Sequence, residues 1–374
     1  MAVCKDRGME IAKKIGLGFP PSLAYLLLQI EVKPSTIPLA EPTETGALGA
    51  QQLKRFWSRV MRQRQGQPAN AGVEAQVEHA MLDALGVGLE QTIQHLFRTG
   101  ASFAEFERWI IETTGGFSST QVARINAMVT GAANPPEIAH WLAEVEADAP
   151  VLSAADLAFW EEHGYVIVPD AVPKSSREAA TQAILDHVGA TLDEPESWYK
   201  PNDHGIMVQF FQHPAFTANR QSRRMHKAFA QLWKTADLWV STDRVGFNVP
   251  ERPGWMFRGP DMHWDVSLAR PIPFGTQGIL YLTDTEPEQG AFTLVPGFHH
   301  RLDAWLDSLP PGADPRGQDL HALGSKPIAG RAGDLIIWHH ALPHGSRPNR
   351  ATRPRIVQYI NLRPARMEVR EQWI

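Results

Sequence analysis

The 374-residue chain contains a single cysteine, Cys4, and this scarcity excludes an intrachain disulfide and any zinc site made of several cysteines. A chain without disulfides fits a reducing compartment, so we expect a cytoplasmic protein. The sequence also lacks internal repeats and low-complexity segments. Together with 43% hydrophobic and 21% charged residues, these absences indicate ordinary globular domains with packed cores.

Long apolar runs and an excess of positive charge are missing as well. The most apolar stretch, residues 23–32, is too short to span a bilayer and has no convincing signal-peptide cleavage site after it, so it predicts a buried helix and no membrane partner. The formal net charge is −5, which leaves no broad basic face for nucleic acid. The short basic run Arg62-Gln63-Arg64 predicts a solvated helix surface.

Residues 1–150 have the pattern of a helical domain. Apolar residues recur at three- and four-residue steps between Val73 and Phe97, and Gly86 and Gly88 predict a break within that stretch. Further stretches with the same spacing follow, separated by Gly-Gly and Pro-Pro pairs. We interpret the three histidines of this half as packing or surface residues: His79, His95 and His140.

The pattern changes after about residue 150. Ser153 and Asp156 are spaced like a helix cap, the β-branched run Tyr165–Val168 predicts a strand, and a helix is expected over 175–188. The remaining chain contains short runs of strand length, separated by Gly, Pro, Asn and Asp. We therefore predict an α+β protein, with a helical domain over residues 1–150 and an antiparallel sandwich or jelly roll over residues 151–374.

The segment His263-Trp264-Asp265 is the first candidate for chemistry. On a strand, residues i and i+2 point to one face, so the side chains of His263 and Asp265 can converge on a metal ion while Trp264 turns away. Imidazole and carboxylate groups suit a divalent transition metal, and two histidines with one carboxylate leave positions open for O₂ and a cosubstrate. The triplet alone is a weak signal, so a second histidine is needed.

Three histidines near the end of the chain are candidates for that second ligand: His339, His340 and His344. Strand alternation does not choose between them. The Pro-His-Gly-Ser context favours His344, because an arginine on the next predicted strand, Arg355, can reach the same cavity and hold a carboxylate through two parallel hydrogen bonds. Arg353 remains an alternative for the same role.

Four motifs occur in order along the chain: "FWEEHGYVIVPDAV", the H-x-D triplet, "GAFTLVPGFHH" and "PHGSRPNRATRPR". This combination closely resembles the phytanoyl-CoA dioxygenase family of Fe(II)- and 2-oxoglutarate-dependent oxygenases, over roughly residues 152–374. The resemblance implies a double-stranded β-helix, the cupin-like form of the jelly roll, that uses Fe(II), 2-oxoglutarate and O₂. Carried over to this chain, it implies these site residues: His263, Asp265 and His344 as iron ligands, Arg355 and Ser346 on the far carboxylate of 2-oxoglutarate, and Tyr281 as an aromatic neighbour of the cosubstrate.

The activity that the resemblance implies is hydroxylation of an unactivated carbon of a small molecule, such as an amino acid, a natural-product intermediate or an acyl thioester, with release of succinate and CO₂. In related halogenases a small residue replaces the carboxylate ligand, so Asp265 favours oxygenation. Desaturation, ring closure and epimerisation use the same ligands. Two other hypotheses are a binding protein that lost turnover and a cupin-like metal enzyme that does not use 2-oxoglutarate. The helical domain is a candidate for capping the roll, forming a homodimer or docking a carrier protein.

Several residues near these motifs have both a functional and a structural interpretation. Trp255 lies in a Gly/Pro-rich loop before the H-x-D triplet, where a lid over the site is expected. The others are interpreted as structural, with a pocket or substrate role as the alternative: His204, Gln209, Arg258, His299, His300, His339 and His340.

Overall fold

A computed structural model describes residues 37–68, 71–72, 74–200, 205–370 and 372–374. Cys4, His204 and the apolar stretch 23–32 lie outside the described residues, and what was predicted for them stays a prediction. Within the described part of the chain, no helix combines the length and the apolar character that crossing a bilayer requires. The chain divides into two compact units, Met1–Glu144 with Pro364–Ile374, and Val145–Arg363.

The described N-terminal region is helical, as predicted. Its helices are α1 (Leu53–Arg64), α2 (Glu74–Ala84), α3 (Leu89–Thr99), α4 (Phe103–Thr114), α5 (Ser119–Thr130) and α6 (Pro136–Ala147). Ser102 and Ser118 begin α4 and α5, because each hydroxyl accepts a hydrogen bond from the backbone N–H three residues on. The predicted break is present between α2 and α3, where Gly86 has a left-handed φ of 74°.

The first unit has an apolar core with an ion pair buried inside it. Phe56, Leu96 and Phe106 are fully buried. The guanidinium of Arg59 and the carboxylate of Glu78 form a pair that is almost inaccessible to solvent. Burying each large apolar side chain contributes about 1.5–3 kcal/mol, so the apolar contacts, rather than the ion pair, dominate the stability of this unit.

The basic run at residues 62–64 is not simply a solvated surface, which corrects the prediction. The guanidinium of Arg62 donates to the carbonyl oxygen of Ile37 at 3.2 Å, and that of Arg64 donates to the carbonyl oxygen of Phe97 at 2.9 Å. Phe97 lies in the last turn of α3, where carbonyl groups have no partner within the helix. Both arginines are therefore half-buried and satisfy backbone acceptors.

The second unit combines helices with short strands. Its helices are α7 (Ala154–His163), α8 (Lys174–Val188), α9 (Pro214–Arg220), α10 (Arg223–Trp233) and α11 (Leu302–Ser308). Its strands are β1 (Tyr165–Val168), β2 (Met207–Val208), β3 (Trp239–Val240), β4 (Val245–Asn248), β5 (Thr276–Tyr281), β6 (Thr293–Leu294), β7 (Lys326–Pro327), β8 (Leu335–His339), β9 (His344–Gly345), β10 (Arg355–Tyr359) and β11 (Leu362–Arg363). The predicted cap at Ser153, strand at 165–168 and helix near 175–188 are confirmed.

The strands form antiparallel sheets, as predicted. The largest has six strands in the order β1-β8-β5-β10-β4-β2, a second has three in the order β7-β6-β9, and β11 pairs with β3. Side chains of the first two sheets share one core, in which Tyr281 and Trp338 of the larger sheet meet Leu294 of the smaller sheet and Phe292, which directly precedes β6. The α+β class is thus confirmed, and the complete double-stranded β-helix topology stays a prediction.

The register of the six-stranded sheet gives its two faces different partners. Residues opposite one another in antiparallel strands share a face, and the pairs on the face that meets the smaller sheet include Gln277 with Trp338, Tyr281 with Val357, and Arg355 with Asn248. On the other face, Gln358 accepts a hydrogen bond from the side-chain amide of Asn219 in α9 at 2.8 Å. Helices therefore cover one face, and the other is directed towards the candidate site.

Candidate metal centre

Two backbone hydrogen bonds bring the first and last candidate ligands together. The N–H of His263 donates to the carbonyl oxygen of His344 at 2.8 Å, and the N–H of His344 donates back to that of His263 at 3.0 Å. The backbone at Gly345 lies close to that of Asp261, because a Cβ on Gly345 would lie 2.7 Å from the carbonyl oxygen of Asp261. Glycine is therefore the residue that this position accepts.

The prediction that the H-x-D triplet lies on a regular strand is wrong. Only His263 forms a β-bridge, and Asp265 lies in a bend. The expected convergence occurs nevertheless. The Oδ1 atom of Asp265 lies 3.3 Å from Nε2 of His263, and its Oδ2 atom lies 3.2 Å from Nε2 of His344. Trp264 turns into the core and donates its indole N–H to the carbonyl oxygen of Ala341 at 2.9 Å.

These three residues form a group that can hold a metal ion. One ligand atom from each of His263, Asp265 and His344 lies within 4.8 Å of the others, and the part of the chain that the structure describes holds no second group of this kind. His344 is buried, whereas half of the Asp265 side-chain surface is accessible to solvent. The accessible half is the side from which solvent and small molecules reach the carboxylate.

Backbone carbonyl groups fix the orientation of both imidazoles. Nδ1 of His263 lies 2.6 Å from the carbonyl oxygen of Asp261, and Nδ1 of His344 lies 3.1 Å from that of Leu342. A carbonyl oxygen only accepts, so Nδ1 carries the proton in each ring and Nε2 presents its lone pair to Asp265. The lone pairs of the two Nε2 atoms and the carboxylate of Asp265 then face one another. Because all three groups are electron-rich, a cation or added protons must lie between them.

The pKa values of the group reflect the same arrangement. Burial raises the pKa of Asp265, but its contacts with the imidazoles of His263 and His344 outweigh this effect, so that the pKa lies well below its ordinary value. Burial lowers the pKa of His263, but the adjacent Asp265 carboxylate outweighs it and the net shift is upward. The centre therefore favours a positive charge next to the carboxylate, and a metal ion supplies one when it replaces protons.

Sequence reasoning missed two residues that hold Asp265 in place. The side-chain amide of Gln277 donates to Oδ2 of Asp265 at 2.6 Å. The guanidinium of Arg316 donates to the carbonyl oxygens of Trp264 at 2.7 Å and Val266 at 2.5 Å, on either side of the aspartate. Strand alternation could have placed Gln277 on the face of Tyr281, whereas Arg316 has no local signal that relates it to residue 265.

Arg355 is fully buried at the predicted cosubstrate position. Its Nη2 atom donates to the hydroxyl oxygen of Ser346 at 3.3 Å, while Nε and Nη1 have no hydrogen-bond partner. A buried guanidinium with two unpaired donors requires an anionic group, because an unpaired buried charge is costly. Arg353, the alternative, is exposed to solvent. The structure thus brings Arg355, not Arg353, together with Ser346.

Tyr281 lies in the core beside these residues, but its hydroxyl already has backbone partners. It donates to the carbonyl oxygen of Ile328 at 2.7 Å and accepts from the N–H of Phe292 at 2.9 Å. Burial raises the pKa of the phenol, so the group stays protonated. Tyr281 therefore links β5 to the smaller sheet, and its role as a neighbour of the cosubstrate stays a prediction.

The other histidines of the region are not part of the metal group. His339 lies among aromatic rings, with centroid distances of 5.4 Å to Phe274 and 5.3 Å to His299. His340 is buried with Nε2 at 2.5 Å from the carbonyl oxygen of Pro273. Nε2 of His300 lies 2.7 Å from the carbonyl oxygen of Glu161, near the end of α7. These contacts agree with the structural interpretation of these residues.

Trp255 and Arg258 line a small cleft with a volume of about 30 Å³. The other walls are mainly apolar and include Trp198 and Phe247. Asn248 also lines the cleft and lies opposite Arg355 in the sheet, which relates the cleft to the cosubstrate end of the site. Gln209 does not line the cleft, and its side-chain amide lies 3.5 Å from the carbonyl oxygen of Met207 in its own segment.

Comparisons of the sequence with a family model and with known proteins indicate the same family. The sequence model of the family described as phytanoyl-CoA dioxygenase (PhyH) matches residues 160–357. A Dictyostelium discoideum protein named "Putative phytanoyl-CoA dioxygenase" is 21% identical over 258 residues, which are 55% of this chain and 74% of that protein.

Two solved structures are also similar. The non-heme alpha ketoglutarate dependent carbocyclase SnoK from nogalamycin biosynthesis is 20% identical, with a TM-score of 0.43 over 60% of this chain and 90% of SnoK. EctD from S. alaskensis with bound Fe is 17% identical, with a TM-score of 0.44 over 60% of this chain and 82% of EctD. The family match spans more than half of the chain and contains His263, Asp265, His344 and Arg355. This protein therefore belongs to the phytanoyl-CoA dioxygenase family.

Proposed function

We propose that this protein is an Fe(II)- and 2-oxoglutarate-dependent oxygenase that hydroxylates an unactivated carbon of a small molecule. The observation that carries the proposal is the pairing of a His263–Asp265–His344 group with a buried arginine, Arg355, that has two unpaired donors. Two histidines and one carboxylate are the donor set that suits non-haem Fe(II) and leaves positions open. A cationic group at a distance from the metal suits a cosubstrate with a second carboxylate.

The chain's own residues orient the reactants and keep water out. Arg355 and Ser346 would hold the far carboxylate of 2-oxoglutarate, and Tyr281 is proposed as an aromatic neighbour of the same molecule. Phe292 and Trp338, whose ring centroids lie 4.2 Å apart, form an apolar wall beside His344. Iron and 2-oxoglutarate, when bound, supply the activation of O₂, with conversion of the cosubstrate to succinate and CO₂. The protein's contribution to the rate is thus the fixed geometry of the bound partners.

The substrate is proposed to bind at the mouth of the small cleft that Trp255 and Arg258 line. Its apolar walls suit a carbon skeleton, and a single cation at the wall suits a polar or acidic group of an amino acid, a natural-product intermediate or an acyl thioester. Asp265 fills the ligand position that a small residue takes in related halogenases, so oxygen transfer is favoured over halogenation. Desaturation, ring closure or epimerisation would require the same ligands with a differently placed substrate.

The proposal is tested by adding Fe(II) and 2-oxoglutarate to the protein without oxygen. We expect the visible charge-transfer band of an iron–keto acid chelate, and its loss in His344→Ala. A colourless wild-type protein that binds iron normally would support a cupin-like enzyme that does not use 2-oxoglutarate. Candidate substrates are then screened for stimulated succinate release. A chelate that never releases succinate with any of them would support a binding protein without turnover.

The helical domain over residues 1–150 is proposed to form a homodimer interface or to dock a carrier protein. Sedimentation of the full chain distinguishes the first role, because a dimer doubles the mass at micromolar concentration. A monomer in that experiment would leave the carrier-protein role, which is measured by the effect of a carrier-bound substrate on KM.

A further inference from the structure

We propose that Gln277, oriented by Trp338, restricts Asp265 to binding the metal through one oxygen atom, Oδ1. This inference rests on the proposed metal site and concerns a positioning residue that no motif predicts. The side-chain amide of Gln277 donates to Oδ2 of Asp265 at 2.6 Å, the shortest contact that the carboxylate makes with a side chain. A hydrogen bond of this length to a charged acceptor is strong.

The indole of Trp338 determines which way the amide of Gln277 points. Its Nε1 atom lies 3.1 Å from Oε1 of Gln277. An indole N–H only donates, so the amide oxygen must face Trp338 and the NH₂ group must face Asp265. Trp338 is itself buried, with its ring packed 4.2 Å from that of Phe292. The buried tryptophan therefore sets the direction in which Gln277 donates.

Asp265 has little freedom to escape this contact. Arg316 donates to the carbonyl oxygens on both sides of it, at Trp264 and Val266, so the backbone cannot easily turn the carboxylate. Both carboxylate oxygens face a ligand histidine, because Oδ1 lies 3.3 Å from Nε2 of His263 and Oδ2 lies 3.2 Å from Nε2 of His344. They differ in that Oδ2 also accepts the hydrogen bond from Gln277, so Oδ1 is the atom that keeps more of its capacity for a metal ion.

The coordination number explains why this restriction matters. An octahedral ion bound by two histidines and one carboxylate oxygen keeps three positions, two for the keto acid and one for O₂. A carboxylate that binds through both oxygens removes one of these positions. Gln277 therefore keeps the third position available without touching the reacting atoms.

The test measures whether a small gas can bind beside the chelate. Nitric oxide serves as the probe, because its complex with high-spin Fe(II) gives a characteristic EPR signal. Fe(II) and 2-oxoglutarate are added without oxygen to the full-length wild type, Gln277→Met and Trp338→Phe, and nitric oxide is titrated. Gln182→Leu is the control, since Gln182 is an exposed residue of α8 that bonds Asp186. The chelate band and the thermal unfolding of each protein are recorded first.

We expect Gln277→Met to bind nitric oxide about tenfold or more weakly than the wild type while it keeps its iron and its chelate band. Trp338→Phe keeps an aromatic ring but removes the indole N–H, so the amide of Gln277 is free to rotate. Its loss of nitric oxide affinity should be in the same direction and smaller. Equal nitric oxide affinity in wild type and both folded variants would overturn the inference and leave the proposed function intact. A wild type without a chelate band would overturn both.

Discussion

Removal of the buried guanidinium of Arg355 should weaken cosubstrate binding without making the protein less stable. In Arg355→Leu the two unpaired donors, Nε and Nη1, disappear together with the bond to Ser346 and the interaction with the hydroxyl of Tyr359. Binding of 2-oxoglutarate should become much weaker, because the far carboxylate loses its partner. The protein without cosubstrate should become no less stable, because a buried charge without an acidic partner is removed.

The magnitude follows from the number of donors. Hydrogen bonds to charged groups contribute about 1.5–3 kcal/mol each, so losing two weakens binding by about 3–6 kcal/mol, or about 10²- to 10⁴-fold. Arg355→Lys keeps the charge but not the parallel pair of donors, and we expect a loss of about 10- to 100-fold. The free energy of unfolding of Arg355→Leu should equal that of the wild type or exceed it by up to about 3 kcal/mol.

Affinity is measured by anaerobic titration of the chelate band with 2-oxoglutarate, and stability by urea unfolding without iron and cosubstrate. Arg353→Leu is the matched control, since Arg353 is exposed two residues away. A larger loss of affinity in Arg353→Leu than in Arg355→Leu would refute the assignment. A loss of several kcal/mol of stability in Arg355→Leu would refute the claim that the guanidinium is uncompensated before the cosubstrate binds.

Three further substitutions test other parts of the site. Arg316→Ala should weaken metal binding about 10- to 100-fold, measured by competition with a coloured chelator, because the backbone around the aspartate loses its support; unchanged affinity would contradict this. Burial and neighbouring histidines lower the pKa of His339 to about 3, below its unfolded value of about 6.5, so the neutral form belongs to the fold. The contribution of His339 to the free energy of unfolding is therefore complete above pH 6.5 and is lost towards pH 3 by at most about 1.4 kcal/mol per pH unit. In urea unfolding, the stability of His339→Phe should fall less steeply with decreasing pH than that of the wild type; equal slopes for the two proteins would exclude the effect. Trp255→Ala should raise KM for the substrate about tenfold and leave the chelate band unchanged, and a weaker band would instead place Trp255 at the cosubstrate.

The parts of the structure that were predicted correctly depend on short-range patterns. The cap formed by Ser153 and Asp156, the strand at 165–168 and the break at Gly86 each follow from a few neighbouring residues. The choice of Arg355 over Arg353 was favoured by motif context, and burial of one and exposure of the other agree with it. The role of each remains a proposal that the substitutions above examine.

The parts that were missed depend on contacts between distant segments. The sequence pattern places the triplet at 263–265 on a strand, but in the folded chain His263 bridges to His344, and Arg316 from another segment holds the backbone on both sides of Asp265. Gln277 donates to Asp265 only because two strands and a bend meet in the folded chain. Periodicity within one strand contains no information about contacts between distant segments. A sequence therefore predicts metal ligands more easily than it predicts the residues that hold those ligands in place.

Arg355 is completely buried, whereas half of the Asp265 side-chain surface is accessible to solvent, so the proposed site is electrically asymmetric. Its inner end has a fixed positive charge and its outer end is closed by a cation only when metal is present. Under the proposed function, a keto acid with a carboxylate at each end would place its far carboxylate at Arg355 and its keto end at the metal ligands. A keto acid of the pyruvate type would leave the charge of Arg355 unpaired, so we expect the site to favour the longer molecule with the second charge.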